Sequence, residues 1–285
     1  ELPGVAALQD RSTAGAPEAG HQMLQKSYPM WTEQFLLDGH VAEIPSRNGG
    51  IGSVLCRAFT EYGASVVVAG RRLERCREVA AQIEAQGGRA LAVRADLTRP
   101  KEAERLMAAA VEHFGRLDIL VNCVGGNARY PAEEYPLAEW QRILDLNLTT
   151  TLLACQAAAR HMIPRRQGKI LNISSVRSLL GIHSGYSAYC AAKGAVNMLT
   201  KQLATEWARY NITVNAIAPT FIRTEQVADM LADQAFYDSL VRRIPLGRVG
   251  EVDDLIGAAL LFVSPASRFI TGQVLFIDGG LTACQ

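Results

Sequence analysis

The stretch HVAEIPSRNGGIGSVLCRAF, residues 40–59, joins a short apolar run, a glycine-rich turn and an amphipathic segment. In the amphipathic segment, apolar side chains recur at the spacing of one helix face, at Ile51, Val54, Leu55, Ala58 and Phe59. A strand that enters a helix through a tight turn is typical of the units from which parallel sheets are built. The stretch therefore predicts the first unit of an alternating strand–helix fold.

Further apolar runs follow, separated by helical segments: SVVVAG (65–70), ALAVRAD (90–96), LDILVN (117–122), GKILNIS (168–174), ITVNAIAP (212–219) and QVLFID (273–278). Near-continuous apolar strands that alternate with helices indicate a parallel sheet covered on both faces. We therefore predict an α/β fold, a single-domain Rossmann-type doubly wound parallel sheet over residues 38–285. Ligands of such sheets bind beyond the carboxyl ends of the strands, so functional residues should follow the apolar runs.

Composition excludes several classes of function. The chain has 285 residues, of which 49% are hydrophobic, and a net charge of +1. This charge offers no field that would recruit nucleic acid or an anionic membrane, and no apolar run is long enough to span a bilayer. The 6 cysteines and 5 histidines are scattered without metal-ligand spacing. We expect reduced thiols, no metal site and a cytoplasmic location.

The first 37 residues differ in composition from the rest. They are rich in Ala, Gly, Pro, Gln and Ser and lack an apolar stretch of signal-peptide length. We expect a poorly ordered amino-terminal extension over residues 1–37. Because the chain begins at Glu1, we also expect an incomplete or processed start, with Met23 and Met30 as candidate natural starts.

The glycine-rich turn is suited to a cofactor phosphate. Gly50 and Gly52 let the backbone approach a pyrophosphate, and the helix that follows offers free N–H donors. Arg71 and Arg72 follow the next strand, where a chain that binds NAD would carry an acidic residue for the ribose 2′-hydroxyl. Arginine pairs with a 2′-phosphate, so we predict a preference for NADP(H), chiefly through Arg71, with NAD(H) as a second cofactor. The alternative is a pair of solvated surface arginines.

The segment YSAYCAAKGAVNMLTKQLATEW, residues 186–207, predicts a helix with Tyr189 and Lys193 on one face. A phenol has an unperturbed pKa of about 10, which a nearby ammonium lowers. Tyr189 is therefore expected to exchange a proton with a substrate oxygen that Ser175, at the end of the preceding strand, holds by a hydrogen bond. Taken alone, this spacing is more typical of a core aromatic with a surface lysine.

Motifs in a consistent order resemble the short-chain dehydrogenase/reductase family over residues 38–283. They are GGIG (49–52), AD (95–96), NCVG (122–125), LNL (146–148), NISS (172–175), YCAAK (189–193), NAIAP (215–219) and ITGQVLFIDGG (270–280). The carboxyl-terminal part is similar to gluconate 5-dehydrogenases and related keto-sugar reductases of that family. The resemblance implies an oxidoreductase that acts on CH–OH groups with NAD(P).

Position by position, the resemblance implies a catalytic tetrad. Tyr189 is the expected acid/base, and Lys193 lowers its pKa and binds the nicotinamide ribose. Ser175 positions the substrate carbonyl, and Asn147 holds a water in the proton relay. Besides Tyr189 and Lys193, the implied cofactor contacts are Ser46, Asn48, Gly50, Ile51, Gly52, Arg71, Asp96, Leu97, Asn122, Gly125, Pro219, Ile222 and Thr224.

Loops after three strands are expected to bind the substrate: GNARYPAEEYP (126–136), VRSLLGIHSGY (176–186) and FIRTEQVADMLADQAFYDSLVRRIPLGR (221–248), the last a helical lid. The candidate contacts are Asn127, Arg129, Arg177, His183 and Tyr186. The alternative for each is an ordinary loop residue or a subunit contact. Arginines near the pocket would suit an anionic substrate such as a sugar acid.

The run before the glycines departs from the family's pattern. Glu43 brings a carboxylate into the central strand, Pro45 removes a ladder N–H, and Ser46 stands where the family has glycine. An unpaired buried charge costs several kcal/mol, and a left-handed serine costs about 1 kcal/mol. Two hypotheses follow, an error in the coding sequence of residues 43–47 and a real protein with weakened cofactor binding.

Together these features predict an NADP(H)-preferring oxidoreductase that interconverts a carbonyl and a secondary alcohol on a keto-sugar, a sugar acid or a similar small ketone. A 3-oxoacyl-thioester reductase is the alternative within the family. The alternative of another class is a non-catalytic nucleotide-binding homologue, which the altered residues before the glycine-rich turn suggest. By resemblance we expect a homotetramer built on helices near residues 137–163 and 187–209.

Overall fold

The computed structural model describes residues 31–46, 50–183 and 185–284, apart from the side chain of Gln226. The chain divides into a short unit, Glu1–Gln34, and a large one, Phe35–Gln285. Most of the expected extension over residues 1–37 lies outside the described residues, as does Asn48, so the expectations for them stay predictions. None of the helices in the described ranges is long and apolar enough to cross a membrane.

A parallel sheet of seven strands forms the centre of the large unit, within the described residues. The strands are β1 (Val41–Pro45), β2 (Ser65–Gly70), β3 (Arg89–Arg94), β4 (Ile119–Asn122), β5 (Gly168–Ile173), β6 (Ile212–Pro219) and β7 (Val274–Ile277). Their order is β3-β2-β1-β4-β5-β6-β7. This doubly wound sheet confirms the predicted fold class.

Helices follow most of the strands and cover both faces of the sheet. They are α1 (Ile51–Glu61), α2 (Leu73–Ala85), α3 (Pro100–Phe114), α4 (Leu137–Leu144), α5 (Thr150–Arg165), α6 (Ser187–Trp207), α7 (Ala228–Ala232), α8 (Gln234–Val241) and α9 (Ile256–Val263). One apolar cluster lies between the sheet and α3, α5 and α6, and a second lies between the sheet and α1, α2 and α9. Both faces are therefore buried, as the unbroken apolar runs predicted.

The order of the strands reverses at β1, which pairs with β2 on one side and β4 on the other. Chains that leave β1 and β4 turn toward opposite faces of the sheet, which opens a crevice between them. Ser46 and Cys123 follow these two strands and form a single bridge across the crevice. The switch in strand order therefore coincides with the glycine-rich turn.

Glu43 is fully buried at the middle of β1. Its register partners are Val67 of β2 and Leu120 of β4, and both belong to the apolar cluster against α3 and α5. Neither carboxyl oxygen has a hydrogen-bond partner among the described residues. Burial raises the pKa of Glu43 well above its usual value. The strand is therefore compatible with a protonated, neutral Glu43, because neutralisation avoids most of the desolvation cost.

Ser46 follows β1 without the backbone strain considered above. In the described ranges, positive φ among residues other than glycine occurs at Arg166 and Asn211, and Ser46 is not one of them. Its side chain fits because Gly52 has no Cβ, which would lie 2.5 Å from the Ser46 Cβ. The cost expected for a left-handed serine is therefore not incurred, and the loop accommodates Ser46 through the close approach of Gly52.

Replacing Glu43 with glutamine should stabilise the protein increasingly as the pH rises. The folded-state pKa of Glu43 is raised above the usual 4.5, so the stability that it contributes is lost as pH rises from that value toward the folded pKa. Glutamine stays neutral, and near neutral pH the gain should reach about 1–4 kcal/mol. Urea unfolding of both proteins across the acidic and neutral range measures it.

The exposed variant Glu84→Gln is the control, since its side chain lies on the solvent side of α2. It should leave the pH dependence of stability unchanged. A stability difference between the unchanged protein and Glu43→Gln that is constant with pH would contradict a proton held on Glu43.

Candidate functional site

A cavity of about 500 Å³ opens beyond the carboxyl ends of β1, β4, β5 and β6. This is the edge at which ligands of doubly wound sheets bind. The residues predicted from the sequence that line it are Ser46, Gly50, Ile51, Gly125, Asn127, Ser175, Arg177, Tyr186, Tyr189, Lys193, Pro219, Ile222 and Thr224. Candidates for catalysis, cofactor binding and substrate binding thus meet in one cavity.

Helix α6 carries Tyr189 and Lys193 to the wall of this cavity on one face, as their spacing predicted. The Lys193 Nζ donates a buried hydrogen bond of 2.7 Å to the carbonyl oxygen of Ile173, the last residue of β5. It lies 5.7 Å from the centroid of the Tyr189 ring. Ser175 follows β5 by two residues and shares a hydrogen bond with the Tyr189 hydroxyl. The end of β5 therefore brings all three side chains together.

Burial dominates the electrostatics of these groups. It raises the pKa of Tyr189 to about 12, and the hydrogen bond with Ser175 opposes that rise. Burial also lowers the pKa of Lys193 to about 8. The sequence predicted that the lysine charge would lower the pKa of the phenol, but in this cavity the loss of water around Tyr189 is the larger effect. Tyr189 is therefore a neutral phenol at physiological pH.

Asn147 lies in a wide π-helical turn, Asp145–Thr149, that joins α4 to α5. Its amide group donates to the carbonyl oxygens of Gly126, at 2.8 Å, and Ile143, at 2.9 Å, and accepts from the N–H of Gly126. A Cβ on Gly125 would lie 2.8 Å from the Asn147 Oδ1. Asn147 therefore clamps the loop after β4 against the helix. It lies behind the cavity wall, and its expected water-holding role stays a prediction.

The glycine-rich turn fits the phosphates of a dinucleotide. Gly50 precedes α1 with φ 58° and ψ −125°, a conformation that side chains other than hydrogen rarely adopt. A Cβ on Gly52 would collide with Ser46. The amino end of α1, which begins at Ile51, therefore lies at the edge of the cavity, and helix amino ends are suited to binding a pyrophosphate.

A second cavity of about 230 Å³ adjoins the first and shares Ser46 and Gly50 with it. Its lining includes the basic side chains Arg57, Arg72 and Arg75, and the acidic side chains Glu78 and Glu225, which both pair with Arg75. Arg72, which the sequence favoured less than Arg71, lines this cavity. Arg71 is exposed and lies close enough to Asp96 for its charge to act on that carboxyl.

Besides Arg71, three expected cofactor contacts lie outside the linings of both cavities. Asp96 is half-buried and accepts hydrogen bonds from Thr98, and Leu97 is buried. Asn122 is buried and donates to Asn172 Oδ1 at 2.8 Å, between β4 and β5. Its side chain therefore ties two strands together, and its contact with a cofactor stays a prediction.

Among the expected substrate contacts, the structure brings Asn127, Arg177 and Tyr186 to the cavity. The guanidinium of Arg129 lies 5.9 Å from the ring centroid of Tyr186, behind the lining. His183 is exposed and does not line the cavity. Sequence reasoning did not single out several other lining residues: Ile173, Ser174, Val176, Phe221, Val227 and Met230. Ile173, Ser174 and Val176 lie at or just beyond the end of β5, and the other three lie in the segment expected to form a lid, which was the signal that could have found them.

Comparisons with known proteins agree with this geometry. A family model described as enoyl-(acyl carrier protein) reductase matches residues 46–282. The gluconate 5-dehydrogenase of Gluconobacter oxydans (strain 621H) is 40% identical over 248 residues, which cover 87% of this chain and 96% of that protein. The 5-keto-D-gluconate 5-reductase of Escherichia coli (strain K12) is 38% identical over 251 residues, which cover 87% and 97%.

A solved structure is similar over the same region. It is a gluconate 5-dehydrogenase from Burkholderia cenocepacia J2315 in complex with NADP and tartrate, with 39% sequence identity and a TM-score of 0.84. The match covers 89% of this chain and 99% of that one. With the doubly wound sheet and the motifs at its carboxyl edge, these matches show that the chain belongs to the short-chain dehydrogenase/reductase family of NAD(P)-dependent oxidoreductases.

Proposed function

We propose that this protein is an NADP(H)-preferring oxidoreductase that interconverts a carbonyl and a secondary alcohol on a sugar acid or a similar small ketone. The observation that carries the proposal is the meeting of Ser175, Tyr189 and Lys193 in one cavity beside the start of α1. A proton donor, a carbonyl-orienting hydroxyl and a phosphate-binding helix terminus are what such a reaction requires of the protein.

In this proposal Tyr189 supplies the proton to the substrate oxygen. Its pKa of about 12 keeps the hydroxyl protonated at neutral pH, so the group is ready to act as an acid. Ser175 orients the carbonyl oxygen toward it through its own hydroxyl. A bound nicotinamide cofactor supplies or accepts the hydride at the carbonyl carbon. The protonated phenol is the form that ketone reduction requires, and oxidation of the alcohol requires the phenolate.

Lys193 would act from beneath the same site. Its ammonium is buried and held by the Ile173 carbonyl oxygen, so it is positioned to donate to ribose hydroxyls of the cofactor and to favour the phenolate during oxidation. Asn147 would keep the loop after β4 in place through its bonds to Gly126.

The preference for NADP(H) rests on Arg72 in the lining of the second cavity and on relatives. Arg72 lines that cavity and Arg71 lies next to it in the chain, where a 2′-phosphate would find charge-assisted donors. The Burkholderia structure described above contains NADP. NAD(H) remains the second cofactor in this proposal, because the phosphate-binding turn serves both.

The substrate class rests on polar groups of the first cavity. Asn127, Arg177 and Tyr186 provide donors at its wall, which suit a polyhydroxylated acid better than an apolar chain. Relatives that act on gluconate and on 5-keto-D-gluconate support this class. The intact set of Ser175, Tyr189 and Lys193 speaks against a non-catalytic nucleotide-binding homologue.

We also propose a homotetramer in the cytoplasm. Large apolar side chains are exposed on the described surface, among them Leu179 at 60%, Met198 at 61% and Phe269 at 101%. Of these, Met198 lies on α6, one of the helices expected to form the subunit contacts. Family resemblance supports both parts of this proposal.

Removing the Tyr189 hydroxyl should abolish most turnover without removing the cofactor. In Tyr189→Phe the proton donor is lost, and kcat for ketone reduction with NADPH should fall by about 100-fold to 10000-fold. Affinity for NADPH, measured by fluorescence titration, should stay within about threefold, since the variant removes one hydroxyl and keeps the other implied cofactor contacts.

The matched control is Tyr62→Phe, which removes a hydroxyl at the end of α1. It should retain full turnover. If Tyr189→Phe reduced ketones nearly as fast as the unchanged protein, the proposed function would be wrong.

Cofactor preference should depend on the two arginines after β2. The double variant Arg71→Ala/Arg72→Ala should lower kcat/KM with NADPH by about 10-fold to 100-fold, because charge-assisted hydrogen bonds to the 2′-phosphate are lost. With NADH it should change little. The single variants show how much each arginine contributes to kcat/KM with NADPH. Because Arg72 lines the cavity, we expect Arg72→Ala to lower it more than Arg71→Ala.

Arg77→Ala serves as the control, since Arg77 is an exposed residue of α2 outside both linings. An NADPH/NADH ratio that is unchanged in the double variant would show that the 2′-phosphate is recognised elsewhere.

A further inference from the structure

Arg177 is a charged residue in an unusual position. It lies two residues after Ser175 in the short turn Val176–Ser178, and its backbone N–H donates to the Ser175 Oγ at 3.2 Å. The residue is only 8% exposed, and it lines the cavity that contains Tyr189. A guanidinium is therefore held beside the proton donor and largely out of water.

The hydrogen bonds of this guanidinium use one of its three nitrogens. The Nη1 donates to the carbonyl oxygens of Gly181, at 2.9 Å, and Leu180, at 3.3 Å. Within the described residues, Nε and Nη2 donate to no acceptor, and no carboxylate pairs with Arg177. Guanidinium carries five N–H donors. Among the described residues the protein therefore leaves the Nε–Nη2 donors unused, and Arg177 is part of the cavity lining.

The surrounding charge is positive. Burial, and next the nearby charge of Arg243 beyond the end of α8, hold the pKa of Arg177 below its usual range. Arg243 is exposed, and its Nε donates to the Ser239 carbonyl oxygen. Arginine nevertheless stays charged at physiological pH. A buried cation without a carboxylate partner costs free energy, and an anion bound in the cavity would offset that cost.

We propose that Arg177 is the specificity-determining residue that binds the carboxylate of the substrate, with Arg243 adding longer-range attraction. The planar Nε–Nη2 edge matches the two oxygens of a carboxylate in a bidentate pair. Because Arg177 and Ser175 share one turn, binding of the carboxylate by Arg177 and of the carbonyl oxygen by Ser175 would fix the distance between these two groups of the substrate. The inference rests on the proposed function and adds the group that selects acids over neutral ketoses.

An alternative role for Arg177 is purely structural, through the Nη1 bonds that hold the loop at Leu180 and Gly181. The two roles differ in what they do to substrates with and without a carboxylate. A structural role affects both kinds of substrate alike, whereas a carboxylate-binding role affects the acid alone. A pair of matched substrates therefore separates them.

The test compares 5-keto-D-gluconate with L-sorbose, in which a hydroxymethyl group replaces the carboxylate, using Arg177→Met and NADPH. For the acid we expect KM to rise by about 10-fold to 100-fold while kcat changes by less than about threefold. For L-sorbose we expect kcat/KM within about twofold of the unchanged protein. Arg177→Lys keeps the positive charge but loses the planar pair of N–H donors, so its KM for the acid should lie between those of the unchanged protein and Arg177→Met. Arg243→Met should raise KM for the acid only a few-fold.

Binding measured without turnover completes the test. Calorimetric titration of the NADPH-loaded protein with tartrate should give an affinity that falls about 10-fold or more in Arg177→Met. Arg89→Met is the control, since Arg89 is exposed at the amino end of the edge strand β3. Thermal unfolding of each variant checks the fold, and Arg177→Lys and Arg243→Met replace Arg177→Met if that variant does not fold.

Equal loss for the acid and the neutral ketose, or unchanged tartrate affinity in Arg177→Met, would overturn the inference and leave the proposed function standing. Failure of the unchanged protein to bind either anion would overturn it as well. A protein that binds NADPH and tartrate but reduces no ketone would instead contradict the proposed function, while the assignment of Arg177 would hold.

Discussion

The hydrogen bond from the Lys193 ammonium to the carbonyl oxygen of Ile173 is the contact on which the site depends most. It is buried, it carries a charge, and it joins helix α6 to the last residue of β5. Ser175 follows Ile173 by two residues, and Tyr189 precedes Lys193 by one helical turn. One bond therefore holds proton donor, orienting hydroxyl and ammonium at a common point beyond the sheet.

The sheet tolerates a costly residue at its centre. Glu43 has no hydrogen-bond partner in the described part of the chain, yet the strands on either side keep their register with it. Pro45 and Ser46 complete the departure from the family's pattern. Pro45 keeps its register with Ala69 of β2, and Ser46 packs against Gly52 in the first turn of α1. The described residues on either side of the turn, Ser46 and Gly52, therefore pack closely, while the strand that precedes them loses stability through the buried carboxyl.

Much of the fold was predictable because each strand and helix of a parallel sheet has a recognisable pattern in its own stretch of sequence. The unbroken apolar runs predicted the bounds of β2 to β7 to within two residues. The four-residue spacing of Tyr189 and Lys193 predicted that both lie on one helix face. The motifs in their order predicted the site residues, since each motif ends a strand or begins a helix at the same edge of the sheet.

Other features depend on three-dimensional packing that no local pattern encodes. The pKa of Tyr189 follows from the water removed around it, and that burial is set by several loops. Distances between strands determine three further features. These are the position of Arg72 in the cavity lining, the hydrogen bond between Asn122 and Asn172, and the unstrained backbone of Ser46. The free edge of Arg177 likewise results from a turn whose carbonyl groups occupy only Nη1.

Transfer of label from NADPH deuterated at nicotinamide C4 to 5-keto-D-gluconate tests the central claim most directly. We expect deuterium from one of the two stereospecifically labelled cofactors to appear on the new carbinol carbon of the product, with none lost to solvent. Mass spectrometry and NMR of the product read this out. A product without deuterium from either cofactor, or no product at all, would contradict a hydride-transfer site at the end of β5.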